Sequence, residues 1–215
     1  MAKKRILIIS PHADDEVLGC GGYLLHSRSS AEISIIIGSI GGIGTRQDYS
    51  TRMHEFRAVC DTLGATGYVL YDNKDAMLDT IPSRDIISAI DEHIDRIMPD
   101  EILVNYRSRH QDHIKMYECA MASLRLRDGF RPRFVALYEY PFVMNGYDAI
   151  EGGCAYHDIT DVMDEKVKLF NVYESQVRNS PSPLNEGGIT SLAHVRGMEC
   201  GTEYAEKFYI QKMMI

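Results

Sequence analysis

The chain has 215 residues, with 23 Lys plus Arg against 31 Asp plus Glu for a net charge of −8; 45% of residues are hydrophobic and 25% charged. These proportions fit one globular α/β domain and exclude disorder, a collagen repeat and a small cysteine-stapled scaffold. The acidic balance also argues against a domain built to neutralise a nucleic-acid backbone.

The basic start, Met1 to Arg5, leads into only four apolar residues, Ile6 to Ile9, too few for a signal peptide. No stretch approaches the roughly 18 apolar residues of a membrane span. Ile6 to Ile9 reads as a strand, and the same continuous apolar character returns at Ile33 to Ile40, Tyr68 to Tyr71, Ile102 to Val104 and Phe134 to Tyr138. Continuous rather than alternating runs predict strands covered on both faces. Between them, Ile86, Ile87, Ile90, Ile94 and Ile97 lay an apolar stripe along a helix ending at Pro99. The β-α alternation predicts a Rossmann-like, mostly parallel sheet with helices on both faces. After about Tyr140 the pattern changes to a short segment at Tyr156 to Ile159, a helix over Asp161 to Gln176, a Ser180-Pro181-Ser182-Pro183 loop and a last helix over Leu192 to Met198 or beyond. The organisation read from this is a single domain over 1–215, a core over 1–140 and a C-terminal elaboration over 141–215. The five scattered cysteines, Cys20, Cys60, Cys119, Cys154 and Cys200, include no C-x-x-C and predict buried thiols in a reducing cytoplasm.

Ligands of open parallel sheets bind beyond the carboxyl ends of strands. The first strand is followed by His12-Ala13-Asp14-Asp15-Glu16, and the fourth by Arg109-His110-Gln111-Asp112-His113. Asp14 and Asp15 have a plain reading as caps of the helix that follows. His110 and His113, three apart, would share one helix face, with Asp112 near enough to orient one ring. Together the clusters offer two histidines and one aspartate to a divalent metal, with a fourth position for water, the ligand count of a catalytic zinc site. A carboxylate and a histidine remain over for proton transfer and charge stabilisation. The Gly38-Ser39-Ile40-Gly41-Gly42-Ile43-Gly44 run completes neither a P-loop nor a G-x-G-x-x-G, and reads as a flexible loop edging the site. His26, His54, His93, His157 and His194 lack a local ligand partner, and Arg125, Arg127, Arg131 and Arg133 read as a solvated face.

Pro11-His12-Ala13-Asp14-Asp15-Glu16 resembles the P-H-x-D-D-E motif, and His110-Gln111-Asp112-His113 the H-x-D-H motif, of the PIG-L/LmbE-like zinc N-deacetylases. Similarity continues in Arg52-x-x-Glu55 leading to Leu63-Gly64, in Lys166 with Ser175-Gln176, and in Ala205-Glu206-Lys207-Phe208. The resemblance implies that His12, Asp15 and His113 bind zinc, that Asp14 is the general base, and that His110, supported by Asp112, stabilises the oxyanion. It assigns Arg52 and Asp75 to sugar hydroxyls. Ala13 and Gln111 stand where the family often has proline, and Tyr173 where it commonly has histidine, which bears on the substrate pocket. The implied protein is a cytoplasmic, homo-oligomeric hydrolase that removes acetyl from an N-acetylglucosamine-like sugar or conjugate, with iron or cobalt as possible replacements for zinc. The rival reading is a non-catalytic metal- or nucleotide-binding Rossmann-like module.

Overall fold

The structure, a computed structural model, describes residues 3–41, 46–125, 127–141 and 153–215. Strands β1 (Lys4–Ser10), β2 (Ala31–Ile40), β3 (Thr66–Asp72), β4 (Glu101–Asn105) and β5 (Phe134–Tyr138) pair in parallel. Strands β6 (Cys154–Asp158) and β7 (Ala205–Met213) extend the sheet antiparallel, in the order β3-β2-β1-β4-β5-β7-β6. The helices are α1 (Asp15–Ser27), α2 (Arg46–Leu63), α3 (Ser83–Ile97), α4 (Gln111–Ser123), α5 (Met163–Asn171) and α6 (Glu186–Cys200). The mostly parallel α/β architecture is the expected one.

Its cause lies in the strands themselves. Ile6, Leu7, Ile8 and Ile9 are all fully buried, so β1 turns apolar side chains to both faces and needs helices on each. On α3, Ile86, Ile90 and Ile94 are buried at helical spacing, and the helix stops where Met98 enters the left-handed region ahead of Pro99. At β1 the connections diverge: β2 lies on one side and β4 on the other, with Ile9 paired to Ile36 and to Val104. That reversal opens a crevice beyond the carboxyl ends of β1 and β4.

The structure differs from the sequence reading at five places. Ala205 to Met213 forms a strand between β5 and β6; its Phe208-Tyr209-Ile210 run lies within otherwise polar sequence, so no alternation announced it. The helix expected to reach Gln176 ends at Asn171, because Glu55 on α2 takes the Ser175 amide (2.8 Å) and hydroxyl (2.6 Å) and draws the chain aside. The last helix starts at Glu186, capped by Asn185, whose side chain accepts from the Gly188 amide at 3.0 Å. Gly188 disguised that start, yet a Cβ there would lie 2.2 Å from the Pro183 carbonyl oxygen. Cys154 and Cys200 are exposed, while Cys20, Cys60 and Cys119 are buried. Of the glycine run, Gly38 to Ile40 belongs to β2 and is buried rather than looped, and the expected loop over residues 42–44 lies outside the described residues.

Candidate active site

Beyond β1 the chain makes the short turn Pro11 to Asp14 and enters α1. Asp14 sits at the N-cap position, yet its side chain makes no capping hydrogen bond. Its backbone is at φ 142°, ψ −32°, a region that disfavours a Cβ. The capping reading therefore fails for Asp14: its carboxyl points into a cavity of about 510 Å³, with an Arg52 nitrogen 3.7 Å from one oxygen. Burial pushes the Asp14 carboxyl above the ordinary range, against the pull of Arg52.

Asp15 lines the same cavity and turns its carboxylate to two histidines. Its Oδ2 is 3.5 Å from His12 Nδ1 and 3.4 Å from His113 Nε2; Asp15 and His113 are buried and the His12 side chain is only 13% exposed. One donor atom from each lies within 4.8 Å of the others. Burial would raise the Asp15 carboxyl, but His113 and His12 hold it below its usual range. Burial depresses His113 to about 4, so at neutral pH it is the uncharged imidazole with a lone pair to give. Two imidazole nitrogens and a carboxylate oxygen converging in one pocket fit a divalent cation.

Beyond β4 the second motif supplies His110 as the N-cap of α4, where Nδ1 accepts from the Asp112 amide at 3.3 Å. That bond assigns the ring proton to Nε2, and burial together with neighbouring His12 lowers the pKa, keeping the ring neutral. His110 can therefore donate a hydrogen bond from Nε2. The three rings of His12, His110 and His113 stand with centroids 5.2 Å apart.

Asp112 departs from expectation. Its carboxylate is bonded to His12 Nε2 at 2.8 Å and to the amides of Ala76 (2.7 Å) and Leu78 (2.9 Å), so the carboxylate orients His12, while His110 is supported through the Asp112 amide. His12 thereby turns Nδ1 toward Asp15, as a ligating histidine with a carboxylate partner does. Burial disfavours a proton on His12, but Asp112, Asp15 and Asp75 outweigh it and raise its pKa. Asp75, on the same loop, also reaches His12 Nε2 at 3.1 Å while lining the cavity. Arg52 lines the cavity too and donates to the Ala13 carbonyl, bracing the first motif. Tyr173, three before Gln176, lies outside the cavity and is fully buried.

Sequence reasoning missed Tyr140, whose ring packs 4.7 Å from that of His113, and the cavity-lining Ser108 and Leu184; Gln176, part of the family likeness, lines the cavity too. Tyr140 follows β5 as Asp14 follows β1, which was the available signal. It also missed the break in α1 at Cys20. There Lys166 donates to the Leu18 carbonyl at 3.0 Å and to Glu206 at 2.7 Å, while Glu206 accepts from the amides of Gly22 (2.7 Å) and Tyr23 (2.9 Å). This buried pair satisfies the groups freed by the break and ties α5 and β7 to the helix that carries Asp15.

Residues 7–124 match the family described as PIG-L: GlcNAc-PI de-N-acetylase, and the chain belongs to that family. It is 28% identical over 130 residues to the uncharacterized deacetylase YaiS of Escherichia coli (strain K12), which covers 57% of this chain and 69% of the relative. Among solved structures it resembles the N,N'-diacetylchitobiose deacetylase of Pyrococcus horikoshii, with a TM-score of 0.77 and 22% identity, covering 97% of this chain and 84% of that one. It also resembles GalB, the 4-carboxy-2-hydroxymuconate hydratase of Pseudomonas putida KT2440, with a TM-score of 0.76 and 18% identity, covering 99% and 98%. These two likenesses establish the fold, and the hydratase illustrates that one fold carries different chemistries.

Proposed function

We propose that this family member is a zinc-dependent hydrolase that removes the N-acetyl group from an N-acetylglucosamine-like sugar or sugar conjugate. The observation that carries the reading is Asp14: a buried carboxyl that declines its helix cap and faces the cavity beside His12, Asp15 and His113. A protein that only stored a metal would have no use for it.

His12, Asp15 and His113 would hold the metal. When bound, zinc supplies a Lewis acid that polarises a carbonyl and lowers the pKa of water to about 7. Asp14 accepts the proton of the attacking water through its carboxylate as the oxygen bonds to the acetyl carbon. His110 donates its Nε2 hydrogen to the oxyanion that develops on the acetyl oxygen. Asp14 then returns the proton to the leaving nitrogen as the C–N bond breaks, giving acetate and a free amine. Arg52 and Asp75, at the cavity wall, are the groups assigned to sugar hydroxyls.

The same reading makes the protein a cytoplasmic homo-oligomer; no described helix is long and apolar enough to cross a membrane, and exposed Met198, Met213, Met214 and Ile215 offer apolar contact surface. The test is acetate release from a panel of N-acetylated amino sugars, with and without a chelator. Release that stops on chelation and returns with zinc is expected. Bound zinc without release from any member would favour the binding module.

A further inference from the structure

The first motif ends in an acid, Glu16, that neither the metal set nor the proton transfers use. Glu16 is fully buried, second in α1, and its Oε2 accepts the backbone amide of Asp14 at 3.0 Å. Its other oxygen receives the hydroxyl of Tyr173, a fully buried residue 157 positions along the chain, just past α5. The Asp14 carbonyl is meanwhile engaged by the amides of Val17 (3.1 Å) and Leu18 (2.9 Å). Both ends of the Asp14 backbone unit are thus pinned.

What they pin is strained. Asn73, Ala76 and Met98 also have positive φ, but at 49° to 58° they occupy the ordinary left-handed well, whereas Asp14 at 142° lies beyond it. In a capping box, the N-cap side chain and a glutamate three residues on satisfy one another's amides, whereas Glu16 is two residues on. Here only the glutamate's half is made. The amide of Asp14 is occupied from behind, and its carboxyl is left for the cavity.

We propose that Tyr173 and Glu16 are a positioning pair that holds Asp14 in its strained backbone conformation and so aims the base. This rests on the reading of Asp14 as the base. It also gives the C-terminal segment a task in the reaction: the hydroxyl that locks Glu16 comes from beyond residue 140, at the position where the sequence departs from its family pattern. Glu16 and Tyr173 touch neither the cavity nor the metal set, and act through Asp14.

The test uses Glu16→Gln, Glu16→Leu and Tyr173→Phe. Glutamine can offer its oxygen to the Asp14 amide and its NH2 to the tyrosine oxygen, so Glu16→Gln is expected to keep kcat within about 3-fold of wild type, less than the loss of one hydrogen bond. Tyr173→Phe removes one oxygen and is expected to lower kcat about 10-fold, equivalent to about 1.4 kcal/mol. Glu16→Leu frees the amide and is expected to lower kcat about 10²-fold, the cost of a base displaced by about 1 Å. In all three, KM and metal content should stay at the wild-type level. Wild-type kcat in Tyr173→Phe, or losses that track metal content or KM, would overturn the proposal.

Crystal structures of the metal-free variants give a readout independent of turnover. Asp14 φ is expected to stay positive in Glu16→Gln and to turn negative in Glu16→Leu; in Tyr173→Phe the Asp14 to Glu16 bond should open. An unmoved Asp14 in Glu16→Leu overturns the proposal. Should Glu16→Leu not fold, an intact Asp14 to Glu16 bond in Tyr173→Phe does so alone. If no amino sugar releases acetate, the deacetylase reading fails, while the Asp14 backbone in these crystals still decides the positioning.

Discussion

The two ends of the sheet both carry dense charge, and the larger hollow lies at the amino end, away from the histidine motifs. At the amino ends of the strands a cavity of about 800 Å³ is lined by Lys3, Lys4, Arg5, Asp100, Glu101 and Arg133, among others. Its ion pairs face water: Lys4 to Glu101 at 3.1 Å has a 42% exposed lysine, and Arg5 to Asp100 at 3.3 Å is about as open on both sides. At the carboxyl ends, in about 510 Å³, the side chains of Asp15 and His113 are only 6% and 5% exposed. There neighbouring groups are driven in opposite directions, Asp14 up and Asp15 down, His12 up and His113 down. Desolvation, not volume or charge density, distinguishes the carboxyl end from the solvated amino end. The cause is topological: only at the carboxyl ends do connections diverge around β1 and leave a crevice floored by buried strands.

The sharpest way to break this contrast is to split the adjacent acids. Asp14→Asn is expected to keep its metal and lose roughly 10²- to 10⁴-fold in single-turnover rate, the span of general acid-base catalysis. Asp15→Asn should weaken metal binding and recover partly with excess zinc. Metal analysis beside rates checks both, and the opposite pattern would exchange the two roles. Next, His113→Ala should empty the metal set; one equivalent of tightly held metal with full activity would remove His113 from it.

A smaller effect is expected from Arg52→Ala, about 10- to 100-fold in kcat/KM with unchanged metal content. Because Arg52 sits 3.7 Å from Asp14 and also braces Ala13, part of that loss should appear in kcat. Asp75→Ala should act in the same direction, and unaltered kinetics in both variants would take them out of the site. At the other end of the sheet, Lys4→Ala should change stability in urea by less than about 1 kcal/mol and leave turnover alone, as exposed ion pairs do. A large loss there would mean that exposure is a poor guide to which end matters.

Much of this was legible locally. A strand with four successive buried apolar residues, or a helix with isoleucines at 86, 90 and 94, announces its own burial, because periodicity is a property of the segment itself. Both histidine motifs were likewise visible, since each is contiguous and follows a strand. The partners of those motifs were not. That Asp112 serves His12 across 100 residues, that Tyr173 locks Glu16 across 157, and that Ala205 to Met213 enters the sheet beside β5 depend on segments distant in the chain. The strain at Asp14 belongs with them: no residue-level preference favours φ 142° for an aspartate, and it persists because packed surroundings over-determine it. Sequence by itself determined where the two histidine-aspartate motifs stand and which segments are buried, since both are written in local pattern. Tertiary structure decided which carboxylate meets His12 and His113, which meets Arg52 and what holds each in place, because hydrogen bonds buried away from water are settled only when the distant halves of the chain pack together.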